Sequence, residues 1–306
     1  MSFLRFLESI RLPFFDWLFS LITHIGEETV FLAVALFIFW CVSKKNGYYV
    51  LCVGFIGTVL NQFLKMVFRI PRPWVKDPDF TIVESARAEA TGYSFPSGHT
   101  QNAVGTFGTI AVATKRKWLR IISIVICVLV PFSRMYLGVR TPLDVCVSFV
   151  IAAVLIFAIR PIIEKGDKDP KFMYAVFICM SALALALVLF IELYNFPAET
   201  DAANLASAEK NAYSLLGAVI GIVIAFPIEK RFINFETEGK WYVQLIKLVL
   251  GLALTVGLKA VLKAPLNMLF AYHAVSNAVR YAIVVIFAVA VWPLSFPLIN
   301  KIGKKS

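Results

Sequence analysis

Apolar runs close to the length that crosses a bilayer recur along the whole chain, near 29–43, 47–68, 99–114, 119–133, 142–160, 172–193, 212–228, 241–258 and 281–299. A helix needs about 20 predominantly apolar residues to cross the hydrocarbon core. Inside that core every backbone N–H and C=O must be satisfied by the chain itself, which long apolar runs achieve only as helices. The expectation is an all-α integral membrane protein, a multi-span helical bundle. Composition agrees, with 59% hydrophobic and 16% charged residues among 306, against roughly 25% charged in a soluble domain. Residues 1–25 mix Phe, Leu and Trp with Arg5, Glu8, Arg11 and Asp16. They either lie in the interface as an amphipathic helix or make a tilted first span, the tenth. They lack the apolar core and small-residue cleavage site of a signal peptide.

The formal charge of +11 could point to nucleic acid. In so apolar a chain it reads instead as basic loops against anionic headgroups, and no nucleic-acid partner is expected. Lys44-Lys45, Lys115 to Lys117, Arg160 to Lys171, Glu229 to Arg231 and the Lys301, Lys304, Lys305 tail fall on one side if every run spans. The positive-inside rule makes that side cytoplasmic. Cys41, Cys52, Cys127, Cys146 and Cys179 sit in apolar runs without metal-ligand spacing and read as small hydrophobes. The polar break Gly166 to Lys171 suggests a boundary between a core at 1–165 and an extension at 166–306 that carries four apolar runs.

One stretch combines the parts of an anion site. Pro96, Ser97, Gly98 and His99 stand where a polar loop gives way to an apolar helix. A helix start exposes unpaired N–H groups, which attract an anion. Gly98 permits close approach, Ser97 adds a hydroxyl, also suited to capping, and His99 adds a proton that can be given or taken. Upstream, Lys65 and Arg72 are seven residues apart, and would share a helix face if Pro71 and Pro73 did not end the helix. Downstream stand Ser133-Arg134, then Arg140 and Asp144. Such cations suit a tetrahedral phosphate: guanidinium takes its oxygens two at a time, and lysine supplies a point charge. The plainer readings are Lys65 snorkelling from a helix end and Asp144 pairing with Arg140 one helical turn away. The connection of about 30 residues between Phe68 and the Pro96 stretch is long enough to suggest a lid. Asn61, Gln62, Gln101 and Asn102 are expected to hydrogen-bond between helices.

In order and spacing, Lys65…Arg72-Pro73, Pro96-Ser97-Gly98-His99 and Ser133-Arg134…Arg140…Asp144 resemble the three motifs of the type 2 phosphatidic acid phosphatases. These membrane lipid phosphatases are related to vanadium haloperoxidases. The resemblance covers roughly residues 1–165 and implies a six-helix core that hydrolyses lipid phosphates or diphosphates at the extracytoplasmic face of a cell membrane, here expected to be bacterial. It implies a substrate such as phosphatidic acid or an isoprenoid diphosphate, with no metal and no cofactor. In the family a His at the third-motif position attacks phosphorus, the counterpart of Asp144 orients it, and the counterpart of His99 protonates the leaving oxygen. The counterparts of Lys65, Arg72, Ser97, Gly98 and Arg134 hold the phosphate oxygens.

One position departs from the pattern: the nucleophile's place holds Arg140. Guanidinium stays protonated and offers donors only, so it cannot attack phosphorus. Hydrolysis is therefore expected to be weakened or lost. The alternative is a non-catalytic protein that binds or transports a lipid phosphate. Slow hydrolysis by direct water attack and a one-position variant of an active enzyme both stay open.

Overall fold

The computed structural model describes residues 1–88 and 90–302, and among them it is built from helices without strands. Among the described residues, seven helical stretches are long and apolar enough to cross a membrane: Lys44–Lys76, Lys117–Tyr136, Pro142–Lys168, Pro170–Leu193, Ala202–Ile233, Trp241–Leu269 and Val275–Ile302. Pro13–Gly26 and Glu28–Cys41, bent by 51° at their junction, make an eighth if taken as one span. The chain is thus an all-α multi-span membrane protein, with four candidate spans beyond Lys168.

Ten spans were expected from the apolar runs, and two regions account for the difference. The run near 99–114 folds as Gly98–Ala103, a π-helical turn Val104–Gly108 and Thr109–Ala113, an interrupted stretch shorter than the seven long helices. Residues 1–25 divide into Ser2–Ser9 and Pro13–Thr23, because Pro13 starts a new helix and is preceded by extended Leu12. Ser2–Ser9 is amphipathic, burying Leu4 and Leu7.

One spanning helix is inside-out in polarity. On Lys117–Tyr136, Ser123, Ser133 and Arg134 are buried, while Trp118, Ile121, Val125 and Val128 are exposed. A soluble helix reverses that arrangement. Acyl chains would cover this apolar face, and the polar face is kept for the interior.

The chain forms two compact units that interleave along the sequence. The first comprises residues 1–32, 49–161 and 195–208. Leu4, Phe80, Ile82, Ala86, Tyr136, Leu137 and Val139 form one of its buried clusters. The long connection after Phe68 is therefore packed and does not hang free as a lid. Val83 N–H donates to Leu137 O at 3.1 Å, Arg5 donates to Asp77 Oδ2 at 2.7 Å, and Arg11 donates to Thr81 O at 2.8 Å.

The second unit comprises residues 33–48, 162–194 and 209–306. Trp40, wholly buried, donates to Ala288 O at 2.9 Å, and Trp292 donates to Lys247 O at 3.2 Å. Gly217 and Gly221, one turn apart, bring their helix against Val275–Ile286. A Cβ on Gly217 would lie 2.6 Å from Ala278 Cα, and one on Gly221 would lie 2.8 Å from Ala282 O. Small residues at this spacing let membrane helices touch backbone to backbone. Gly217→Val is expected to force the helices apart at a cost of ~1–3 kcal/mol. Thermal unfolding in detergent checks this, and an unchanged midpoint would refute the contact.

Candidate phosphate-binding site

All the residues singled out in the three motifs lie in the first unit. Helix Lys44–Phe68 carries Lys65 one turn before its end. It stops at Arg69, whose φ of 47° leaves the right-handed region, just ahead of Pro71 and Pro73. Arg72 therefore does not share a helix face with Lys65. It sits in extended backbone before the short helix Pro73–Lys76. From there its guanidinium donates to Gly92 O at 2.9 Å, to Val139 O at 3.3 Å and to Thr91 O. One side chain thus joins the segments of all three motifs.

The second motif is fastened from both sides. Ser94 N–H donates to Ile70 O at 2.8 Å, and Ser97 N–H donates to Asp144 O at 3.1 Å. Ser97 caps helix Gly98–Ala103 as expected, accepting from Thr100 N–H at 3.3 Å and from Thr100 Oγ1 at 2.9 Å. A Cβ on Gly98 would stand 3.8 Å from Lys65 Nζ and 3.9 Å from Asn61 Oδ1. The glycine therefore leaves the lysine head beside the backbone of the second motif.

The third motif turns back on itself through Gly138 at φ 81°, so that Arg134 O accepts from both Val139 N–H and Arg140 N–H. Only glycine adopts that angle without strain. Arg134 Nη1 donates to Thr23 Oγ1 at 2.8 Å, and Arg140 Nη1 donates to Tyr93 O at 3.1 Å.

Asp144 does not pair with Arg140 as the four-residue spacing suggested. Arg140 precedes helix Pro142–Lys168, so the helical geometry that would bring the two together does not reach it. Asp144 instead completes a reciprocal cap. Thr141 N–H donates to Asp144 Oδ2 at 2.8 Å, and Asp144 N–H donates to Thr141 Oγ1 at 3.3 Å. Ser94 Oγ donates to the same carboxylate oxygen at 2.6 Å. Loss of such a cap typically costs ~0.5–2 kcal/mol. Thr141→Val is expected to lower thermal stability by about that much, with an unaltered midpoint counting against the cap.

Arg72, Arg134, Arg140 and Asp144 are 3%, 0%, 2% and 1% exposed. Lys65, Arg72, Arg134 and Arg140 act electrostatically on His99, and the three arginines and Asp144 act on Lys65. Burial draws the Arg140 guanidinium down to about 10, against the pull of Asp144, so it remains a cation at neutral pH. Four cations and one carboxylate thus share a largely buried region, an arrangement whose repulsion an anion relieves. Among the described residues, no group of three or more His, Cys, Asp or Glu could hold a metal ion.

The sequence did not single out several supports of this region. Thr23, Tyr93 and Ser94 hold Arg134, Arg140 and Asp144. Asn61, expected to hydrogen-bond between helices, lies beside Gly98, and its Nδ2 finds no hydrogen-bond partner among the described residues. Its place one turn before Lys65 was the available signal. Asn102 does bond between segments, to Gly26 O at 3.3 Å, whereas Gln101 fills the space that Gly57 leaves.

The PAP2 superfamily model matches residues 46–167, the stretch that holds every motif residue above. Phosphatidylglycerophosphatase B of Bacillus subtilis is 30% identical over 171 residues, which cover 51% of this chain and 79% of that protein. The chain belongs to the PAP2 superfamily. A second model, the transmembrane extension of PAP2 superfamily phosphatases, matches residues 213–304. Undecaprenyl-diphosphatase of Sulfolobus acidocaldarius is 32% identical over 43% of this chain and 63% of its own length. A probable sphingosine-1-phosphate phosphatase of Dictyostelium discoideum is 29% identical over 59% of this chain and 48% of its own length. The PAP2 relatives named here are thus lipid phosphatases, and this chain spans less than two thirds of the latter two. No solved structure matches the chain significantly.

Proposed function

We propose that this PAP2 protein binds the phosphate or diphosphate of a membrane lipid among Lys65, Arg72, Ser97, Gly98 and Arg134, and that Arg140 weakens or abolishes its hydrolysis. The observation that carries this reading is that Arg72, Arg140 and Lys65 converge on the segment from Thr91 to Gly98, next to His99: Arg72 donates to Thr91 O and Gly92 O, Arg140 donates to Tyr93 O, and Lys65 Nζ lies beside Gly98. Guanidinium forks and a lysine suit a phosphate's oxygens, and fixed donors also stabilise the charge that develops there during transfer. His99 is the candidate acid for the leaving oxygen. Asp144 is the candidate for orienting whatever stands at position 140, and Arg140 serves there as a further phosphate clamp.

On this reading residues 1–165 form the phosphatase core and residues 166–306 an extension. The site faces the extracytoplasmic side of a cell membrane, supported by the basic loops, which fall on the opposite side when every apolar run crosses, the interrupted one near 99–114 included. The permanent cation at position 140 favours a second reading, in which the protein holds or moves a lipid phosphate without cleaving it. A phosphate-release assay in detergent, on a panel of lipid monophosphates and diphosphates, separates the two. Slow release from at least one lipid supports residual hydrolysis. Lipid binding with no release from any supports the second reading, and neither binding nor release rejects both.

A further inference from the structure

The second unit has a cavity of about 250 Å³, lined in part by Lys44, Lys45, Lys230, Asp167 and Glu229 over a floor that includes Tyr48, Met173 and Phe226. Its polar lining comes from helix ends. Lys44 and Lys45 open one helix, Asp167 lies in the last turn of another, and Glu229 and Lys230 follow Ile228 at the end of a third. Ends of spanning helices are where a chain meets lipid headgroups.

One wall is rigid. Lys44 Nζ donates to Glu229 Oε1 at 2.9 Å and to Asn234 Oδ1 at 2.8 Å, and it lies 4.8 Å from the Phe235 ring centre. Asn234, at φ 36°, folds back so that its N–H donates to Glu229 O. The other wall is loose. Lys45 and Asp167 stand 3.4 Å apart with side chains 36% and 54% exposed. So exposed a pair is weak and leaves little for an incoming anion to displace. Lys230 lies over the Phe226 ring at 5.9 Å and has no carboxylate partner among the described residues. Three lysines against two carboxylates leave the lining one positive charge in surplus.

We infer that this cavity binds a phosphate group carried on a small polar headgroup, with Lys45 and Lys230 as its movable cations and the Lys44–Glu229–Asn234 wall as its frame. Ammonium point charges at a membrane boundary suit the phosphate of an anionic lipid, and they suit a water-soluble phosphate ester equally. The inference does not rest on the reading of the motif site, which it leaves unchanged.

Native mass spectrometry of the full chain with dioctanoyl phosphatidylglycerol tests it. The unmodified protein is expected to retain one more lipid than the Lys45→Ala/Lys230→Ala variant, with that copy's affinity reduced tenfold or more by the change. Lys45→Arg/Lys230→Arg and the control Lys259→Ala should both keep the copy. Glycerol 3-phosphate or inorganic phosphate displacing the copy at equal concentration would assign a soluble phosphate. Resistance to both would assign the lipid headgroup. Equal lipid counts and affinities in the unmodified and double-alanine proteins would overturn the inference. Loss in the double-arginine variant as well would also overturn it, since that would report collapsed helix ends and not lost charge.

Discussion

Arg140→His is expected to raise phosphate release from a lipid phosphate by on the order of 10³-fold or more, the scale on which a hydrolase loses activity without its nucleophile. Position 140 already sits among the cations, held by the turn at Gly138, with its N–H donating to Arg134 O. Arginine fills that place with a cation that has no lone pair, whereas imidazole brings a nitrogen able to attack phosphorus. Asp144 is placed to help without having been Arg140's partner. Ser94 and Thr141 both donate to its Oδ2, and Oδ1 accepts no hydrogen bond among the described residues. A neutral imidazole can donate one ring N–H there and leave the other nitrogen free. Pairing the change with His99→Ala tests the rest of the proposed chemistry, because release restored by Arg140→His should fall again without an acid for the leaving oxygen. Inactivity of Arg140→His on every lipid phosphate tried would mean that more than the nucleophile is missing. Equal turnover by the present sequence would show that position 140 is not the nucleophile's.

The second large effect is on binding. Arg72→Ala and Arg134→Ala should each weaken lipid-phosphate binding by roughly ten- to a hundredfold, the equivalent of ~1.5–3 kcal/mol for a lost charge-assisted contact. The arginines also brace the fold, since Arg72 donates to three backbone carbonyls and Arg134 to Thr23. Arg72→Lys and Arg134→Lys separate the two roles. Each keeps the charge and loses the planar fork, so each should bind between the wild type and its alanine counterpart. Unchanged affinity in both alanine variants, with the proteins folded, would reject the phosphate site.

Much of this was legible in the chain because the signals are local. Apolar runs mark the helices, and the spacings Lys65–Arg72, Pro96–His99 and Arg134–Asp144 bring out the site's residues without any fold. The prolines after Phe68 mark where the helix carrying Lys65 ends. What escaped depends on contacts distant in sequence. No periodicity in residues 77–86 announces that Phe80 and Ile82 pack with Leu4 and Tyr136, so a packed connection reads like a lid. Asp144 lies at ion-pair spacing from Arg140, but its partner is decided by where the helix begins, at Pro142. The run near 99–114 is apolar enough to span, yet its helix is interrupted by the π-helical turn at Val104–Gly108.

On the proposed function, the buried cations beside His99 form a site for a lipid-borne phosphate. The most direct test is an equilibrium titration of the unmodified protein in detergent with dioctanoyl phosphatidic acid and, separately, with dioctanoylglycerol, which differs only in lacking the phosphate. Saturable binding of the phosphate form, at least tenfold tighter than the neutral one and weakened by Arg134→Ala, is the predicted result. Equal affinity for the two lipids, indifferent to Arg134, would contradict it.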